Sequence, residues 1–311
     1  MDHEDKPLHS SAEDCTPAYH RFGDLTRRIL EGIDPQNVSF GRGYCAIRLW
    51  TEWAQMLNTV PDLGEVFVVT GNPCAILGHT RDYPALEFCR AFRHAYCGDG
   101  TFDLEFVPWA SASFVTRNGS GGVSHFVEFR DETNAVIHKV CLTDNTARER
   151  LVDWVQYHQA IRGVSSGSES PFPPGRWRTI QQRHWFDYNE IETVHPLAVK
   201  HLLQSALEES RSVGVVVGNE GIVQSGSFIP KRLNPAQTWV FAGDERVGIH
   251  FDQTALCDVI IHHSPAPDGG PSLSSVKCFD GEGCLRLAIT PPFDASSAGW
   301  NEFLAKATAM T

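Results

Sequence analysis

The residues that could do chemistry gather around one histidine. His184 stands in the run Trp177-Arg178-Thr179-Ile180-Gln181-Gln182-Arg183-His184-Trp185-Phe186, which places an imidazole between guanidinium groups and large aromatic rings. A neutral imidazole can ligate a metal, and guanidinium groups hold carboxylates through charge-assisted hydrogen bonds. On composition alone, a lone His beside Trp and Phe reads as a partly buried structural residue that donates to a nearby carbonyl. Elsewhere a basic pair stands at Lys231-Arg232 and a histidine pair at His262-His263, each of which reads singly as a solvated surface group. The remaining histidines, His79, His94, His138, His158, His195 and His201, show no shared spacing that would make a metal site.

The elements that must position His184 are two halves of similar pattern. A loop-like run from Arg162 through Ser165, Gly167, Pro171, Pro173, Pro174 and Gly175 leads into the His184 segment. Before it, Trp53, Met56, Leu57 and Val60 fall at the spacing of an amphipathic helix that Pro61 stops. The apolar runs Glu65–Thr70 and Pro73–Leu77, joined by Gly71-Asn72, predict a hairpin whose turn takes positive φ. Strand-like pieces follow at Phe102–Val107, Ala112–Thr116 and His125–Phe129, then a turn at Asp131–Asn134, a strand at Ala135–Leu142 and a helix carrying Leu151, Trp154, Val155 and His158. After it, the order recurs. A helix carries Val199, Leu202, Leu203 and Ala206; Val213–Val217 and Glu220–Gln224 flank Gly218-Asn219; further strands lead to a turn at Asp280–Gly283, the strand Cys284–Ile289 and a helix with Trp300, Phe303, Leu304 and Ala307.

The expected fold class is therefore α+β by tandem duplication, two similar halves each with an antiparallel sheet and flanking helices. The expected boundaries are a polar tail at 1–20, a first repeat at 21–161, a linker at 162–186 and a second repeat at 187–311. At 311 residues the chain exceeds the roughly 250 to 300 residues of a single core. A formal charge of -12 excludes non-specific binding to nucleic acid or to anionic membranes. Nine cysteines without a C-x-x-C pair read as free thiols in a reducing compartment. No apolar run is long enough to span a bilayer and none resembles a signal peptide, so the expectation is a cytoplasmic protein without membrane insertion.

Several of these pieces together resemble the HemS type of haem-degrading and haem-trafficking protein. They are Leu63-Gly64-Glu65-Val66, Asp131 with Ala135–Val140, Val217–Gln224 followed by Lys231-Arg232-Leu233, and Trp177-Arg178 with His184 at the family's spacing. The resemblance implies one haem of b type, held in a cleft beside the inter-half segment, with His184 as axial ligand of the iron. What remains in the sequence for the haem propionates is Arg178, Arg183, Lys231, Arg232 and the pair His262-His263, of which Lys231-Arg232 stand where the family keeps the same residues. His250 matches a family histidine and is read as structural. Departures are equally specific: Gly71 and Glu105 stand where the family has Arg, the latter on the opposite face of the haem. His263-Ser264 replaces a basic pair, and Pro292-Phe293 stands near another expected Arg.

Three functions follow from the resemblance. The first is a cytoplasmic haem-binding protein of haem uptake and utilisation, which takes haem from an importer and passes it to a downstream haem oxygenase. The second is a haem-degrading, oxygenase-like enzyme that releases iron and requires O2 and an electron donor. The third is a relative that has lost haem binding. Glu105 in place of a cation argues against efficient oxygen activation, so the carrier stands first.

Overall fold

The computed structural model describes residues 23–50, 52–89, 93–159, 190–264, 272–293 and 298–309. The expected tail at 1–20, the linker at 162–186 and with it His184, Arg178 and their aromatic neighbours lie outside the described residues. Five α-helices are described: α1 (Gly23–Leu30), α2 (Trp53–Thr59), α3 (Arg148–Tyr157), α4 (Ala198–Glu208) and α5 (Trp300–Thr308). The first half supplies strands β1 (Val38–Gly41), β2 (Tyr44–Leu49), β3 (Gly64–Gly71), β4 (Ala75–Asp82), β5 (Glu87–Cys89), β6 (His94–Tyr96), β7 (Phe102–Glu105), β8 (Ser111–Gly119), β9 (Gly122–Arg130) and β10 (Val136–Thr146). The second supplies β11 (Ile191–Val194), β12 (Val213–Gly218), β13 (Ile222–Phe228), β14 (Arg232–Ala236), β15 (Trp239–Gly243), β16 (Val247–Asp252), β17 (Asp258–Ser264), β18 (Leu273–Phe279) and β19 (Leu285–Thr290).

The fold is α+β and duplicated, with every named strand pairing antiparallel. The halves also trade strands. The first sheet runs β1-β2-β8-β9-β10-β3-β4-β16-β15-β14, and the second runs β11-β17-β18-β19-β12-β13-β7-β6-β5. Three strands of each half thus complete the other half's sheet, and apart from the extra edge strand β1 the two orders are the same once β3 is matched to β12 and β16 to β7.

Alternation explains the sheets. In β3, Val66, Val68 and Thr70 are buried while Phe67 and Val69 face outward. The inner faces pack on the helices. No side-chain bond caps the start of α4; its buried Val199, Leu202 and Leu203 hold it instead, each contributing roughly 1.5–3 kcal/mol. Trp300, Phe303 and Leu304 do the same for α5, and the Trp300 indole N–H donates to Ser274 O at 2.7 Å.

The two Gly-Asn hairpins form as the sequence predicts, but for a different reason. Neither Gly71 nor Gly218 takes positive φ, and neither asparagine does. Each asparagine is a clasp between the halves. Asn72 donates to Gly218 O at 2.8 Å and Arg286 O at 2.7 Å, while Asn219 donates to Gly71 O at 2.9 Å and Ile137 O at 2.7 Å. Their side-chain oxygens accept from Cys74 and Ala75 N–H, and from Gly221 and Ile222 N–H. A primary amide has two donors and a carbonyl, so this position asks for Asn.

Candidate functional site

Each sheet has one outward face at its centre, and on the first sheet that face has room for a ligand. On the first sheet, β3, β4, β15 and β16 wall a cleft of about 600 Å3 lined by Phe67, Val69, Ile76, Trp239, Phe241 and His250, with Arg246 and Glu245 at its lip. An adjoining cavity of about 670 Å3 shares Val69 and Ile76 and runs to Lys139 and Arg286.

Glycines make the floor of the cleft. Gly243, Gly248 and Gly78 lie side by side on β15, β16 and β4. A Cβ on Gly78 would stand 2.4 Å from the Phe67 ring, and one on Gly248 would stand 2.7 Å from the Phe241 ring. The two phenyl groups therefore reach over the bare backbone from opposite sides. His250, opposite Ile76 and Phe241 in register, stands beside them with its ring centroid 4.7 Å from that of Phe241. Burial lowers its pKa, so the imidazole is neutral at neutral pH.

Cations rim the cleft. Arg246 pairs with Glu65 at 3.0 Å, Lys231 with Glu245 at 3.6 Å, and the Arg232 guanidinium lies 5.8 Å from the Phe241 centroid. Beyond Val69, the buried Glu128 takes both Arg130, at 2.5 Å, and Lys139, at 3.1 Å. That pairing is internally satisfied and stabilises a buried carboxylate that would otherwise be costly.

The second sheet offers the equivalent face with other residues. Tyr96 stacks on His94 and donates to Glu87 at 2.8 Å, and His94 pairs with Asp103. Val216 and Val223 replace Val69 and Ile76. Glu105, which stands where the family has Arg, lies opposite His94 in the β6–β7 register. Phe293 reaches over Gly214 with its ring 3.1 Å from where a Cβ would be, and its N–H donates to Ser227 at 2.8 Å. Lys277, on the same face, has its pKa brought down to about 8 by burial.

The site residues predicted from the sequence do not all fall on one face. Lys231 and Arg232 stand at the lip of the first-sheet cleft. His263 is on the second sheet, with Nδ1 2.8 Å from Ser274 Oγ, beside a smaller cavity of about 270 Å3 that reaches α5. His262, next to it, lies 3.6 Å from Glu190. Phe67, Phe241 and the glycine row went unread as a site. Phe67 had looked like one more residue of an apolar strand, and a row across three strands has no spacing along the chain.

Two antiparallel sheets that exchange strands, closed by helices at equivalent places, define a duplicated α+β protein with a cleft on the outward face of the first sheet. Residues 35–160 match the haemin-degrading HemS.ChuX domain. The hemin transport protein HmuS of Yersinia pestis is 23% identical over 288 residues, 82% of this chain and 83% of its own, and hemin transport protein HemS of Yersinia enterocolitica has the same identity and coverage. Among solved structures, ChuS, an Escherichia coli haem oxygenase, superposes with a TM-score of 0.71 at 16% identity over 84% of this chain and 88% of its own. Holo-PhuS, a haem-binding protein of Pseudomonas aeruginosa, gives 0.69 at 16% identity over 83% and 86%. The resemblance drawn from the sequence is borne out as a match of residues 35–160 to the HemS.ChuX domain and a duplicated fold similar to that of ChuS and PhuS. No helix among the described residues is long and apolar enough to cross a membrane.

Proposed function

We propose that this protein binds haem and passes it on within a haem-uptake system, holding one b-type haem over the face of the second sheet with His184 as axial ligand. The observation that carries the reading is the match of residues 35–160 to the HemS.ChuX domain inside a duplicated fold. A solved structure of similar fold is described as haem-binding, and two relatives at 23% identity are described as hemin transport proteins. Location adds support. The chain re-enters the described fold at Glu190 beside β11, an edge strand of the second sheet, six residues after His184. The face itself suits a flat apolar ring, with Val216, Val223, Tyr96 and Phe293 available to pack on it. Without a C-x-x-C pair to tether it, the haem is held by ligation and packing alone. Arg178, outside the described residues, is the group proposed for the propionates, whereas His263 lies on the opposite, α5-facing side of the sheet. The protein works in the cytoplasm, between an importer and a downstream haem oxygenase.

A second reading, a haem-degrading enzyme that consumes O2 and reducing equivalents, draws on the likeness to ChuS. The described side chains weigh against it, since Asp103 and Glu105 bring negative charge to the face where a bound oxygen would want a cation. A haemin titration followed by the Soret band, run beside His184→Ala, tests the proposal. Saturable binding that is weakened or shifted in the variant is expected, with a band that survives ascorbate. Decay of the band under ascorbate would favour the enzyme, and a non-saturating spectrum of free haemin would remove haem from the account.

A further inference from the structure

We infer that the cleft on the first sheet is a second haem site, in which the His250 imidazole supplies the axial ligand. The inference rests on the haem-handling reading and goes beyond its single His184 site. Duplication alone gives the first half no histidine equivalent to His184, which is why the sequence implies one haem. Strand exchange changes that count. It carries β16, and His250 with it, out of the second half and into the middle of the first half's sheet.

The cleft has what an iron porphyrin asks for. Its volume is about 600 Å3 and its walls are Phe67, Val69, Ile76, Trp239 and Phe241. The row of Gly78, Gly248 and Gly243 keeps the floor low, so the phenyl rings of Phe67 and Phe241 reach over it and line the cleft where a planar ligand would pack. His250 is exposed, aimed outward from the same floor, and no hydrogen bond from a described residue occupies its ring nitrogens. At the lip, Lys231, Arg232 and Arg246 stand where the two carboxylates of the ligand would emerge. Their present partners, Glu245 and Glu65, form surface ion pairs that weigh little and can be exchanged for propionates. The second sheet has Asp103 where the first has His250, so the two faces would draw their iron ligands from different parts of the chain.

Haemin titration of wild type, His184→Ala, His250→Ala and the double variant decides the matter. Two equivalents are expected for wild type, one for each single variant and none for the double. His250 is an exposed strand residue, so His250→Ala should retain the wild-type thermal melt. His250→Met should keep the second equivalent while changing its ligand-field spectrum, which a residue that merely lines the wall would not do. Saturation of wild type at one equivalent, lost in His184→Ala and untouched in His250→Ala, would overturn the second site and leave the function standing. Absence of saturable binding in wild type would overturn both. Two equivalents with an unaltered spectrum in His250→Met would overturn the assignment of His250 as ligand.

Discussion

The two outward faces are copies of one another in backbone and opposites in chemistry. Register matches Phe67 to Gly214, Gly78 to Ser225, Phe241 to Tyr96, Trp239 to His94, His250 to Asp103 and Glu128 to Lys277. The first face is aromatic, with a neutral imidazole, and the second is smaller and acidic. The inward positions and the clasps vary far less, because there a side chain has to fill a fixed space or reach a fixed carbonyl. Divergence between the two halves is concentrated on the outward faces.

Two inward places break this rule: Gln224 stands where the first half has Leu77, and the pair Thr70 and His138, which gives the largest expected effect, has no polar counterpart. Thr70 and His138 lie where the second half has Val217 and Leu287. His138 is fully buried among Tyr83, Phe102, Trp109 and Phe129, with Nδ1 3.0 Å from Thr70 Oγ1, and its Nε2 has no hydrogen-bond partner. Burial takes its pKa from 6.5 to about 3. The unfolded chain therefore binds the proton first as pH falls, and the native state loses stability progressively from pH 6.5 towards pH 3, by about 4 kcal/mol at the lower end. Thr70→Val with His138→Leu installs the second half's pair and should remove that part of the acid slope, read from urea unfolding at pH 7 and pH 4. Equal slopes for wild type and variant would mean that the two half-cores are equivalent after all.

The clasps come next. Asn72→Ala leaves two carbonyls of the other half and two local N–H groups short of a partner, and an unsatisfied polar group costs roughly 1–3 kcal/mol, softened here by partial exposure. A loss of about 3 kcal/mol is expected, and Asn219→Ala should match it within about 1 kcal/mol if the two hubs carry equal load. Urea midpoints of the two variants make the comparison. A large inequality would show that one hairpin, rather than the pair, holds the halves together.

Much of this was legible in the sequence and some could not be. The helix stripes of Val199–Ala206 and Trp300–Ala307 stand out because helical packing leaves a period in the chain. The duplication was legible from order alone. Strand exchange was not, since an exchanged and an unexchanged hairpin have the same local pattern and differ only in which edge they pair with. Strands β1, β5, β11 and β14 lie at the sheet ends; β14 keeps most of its side chains exposed, so alternation does not mark it. The Asn of each Gly-Asn pair was read as a turn residue because an amide that reaches into another sheet looks the same in sequence as one that turns back on its own backbone. His250 was read as structural for a related reason: its neighbours Ile76 and Phe241 are far away in sequence and adjacent only across strands.

The smallest effect probes the comparison most directly. Gly78→Ser gives the first face the residue that the second carries at Ser225, where the hydroxyl donates to Gly100 O at 2.7 Å. On the first face that Cβ meets the Phe67 ring, which is itself 37% exposed and can swing outward, so the cost in stability is about 1 kcal/mol. The lifted ring no longer reaches over the floor, and the second haem equivalent should bind roughly fivefold more weakly, the counterpart of about 1 kcal/mol, while the His184-dependent equivalent keeps its affinity. An unchanged second equivalent would mean that the glycine row does not set the receptive face, and the contrast between the two sheets would then rest on His250 and the aromatic residues alone.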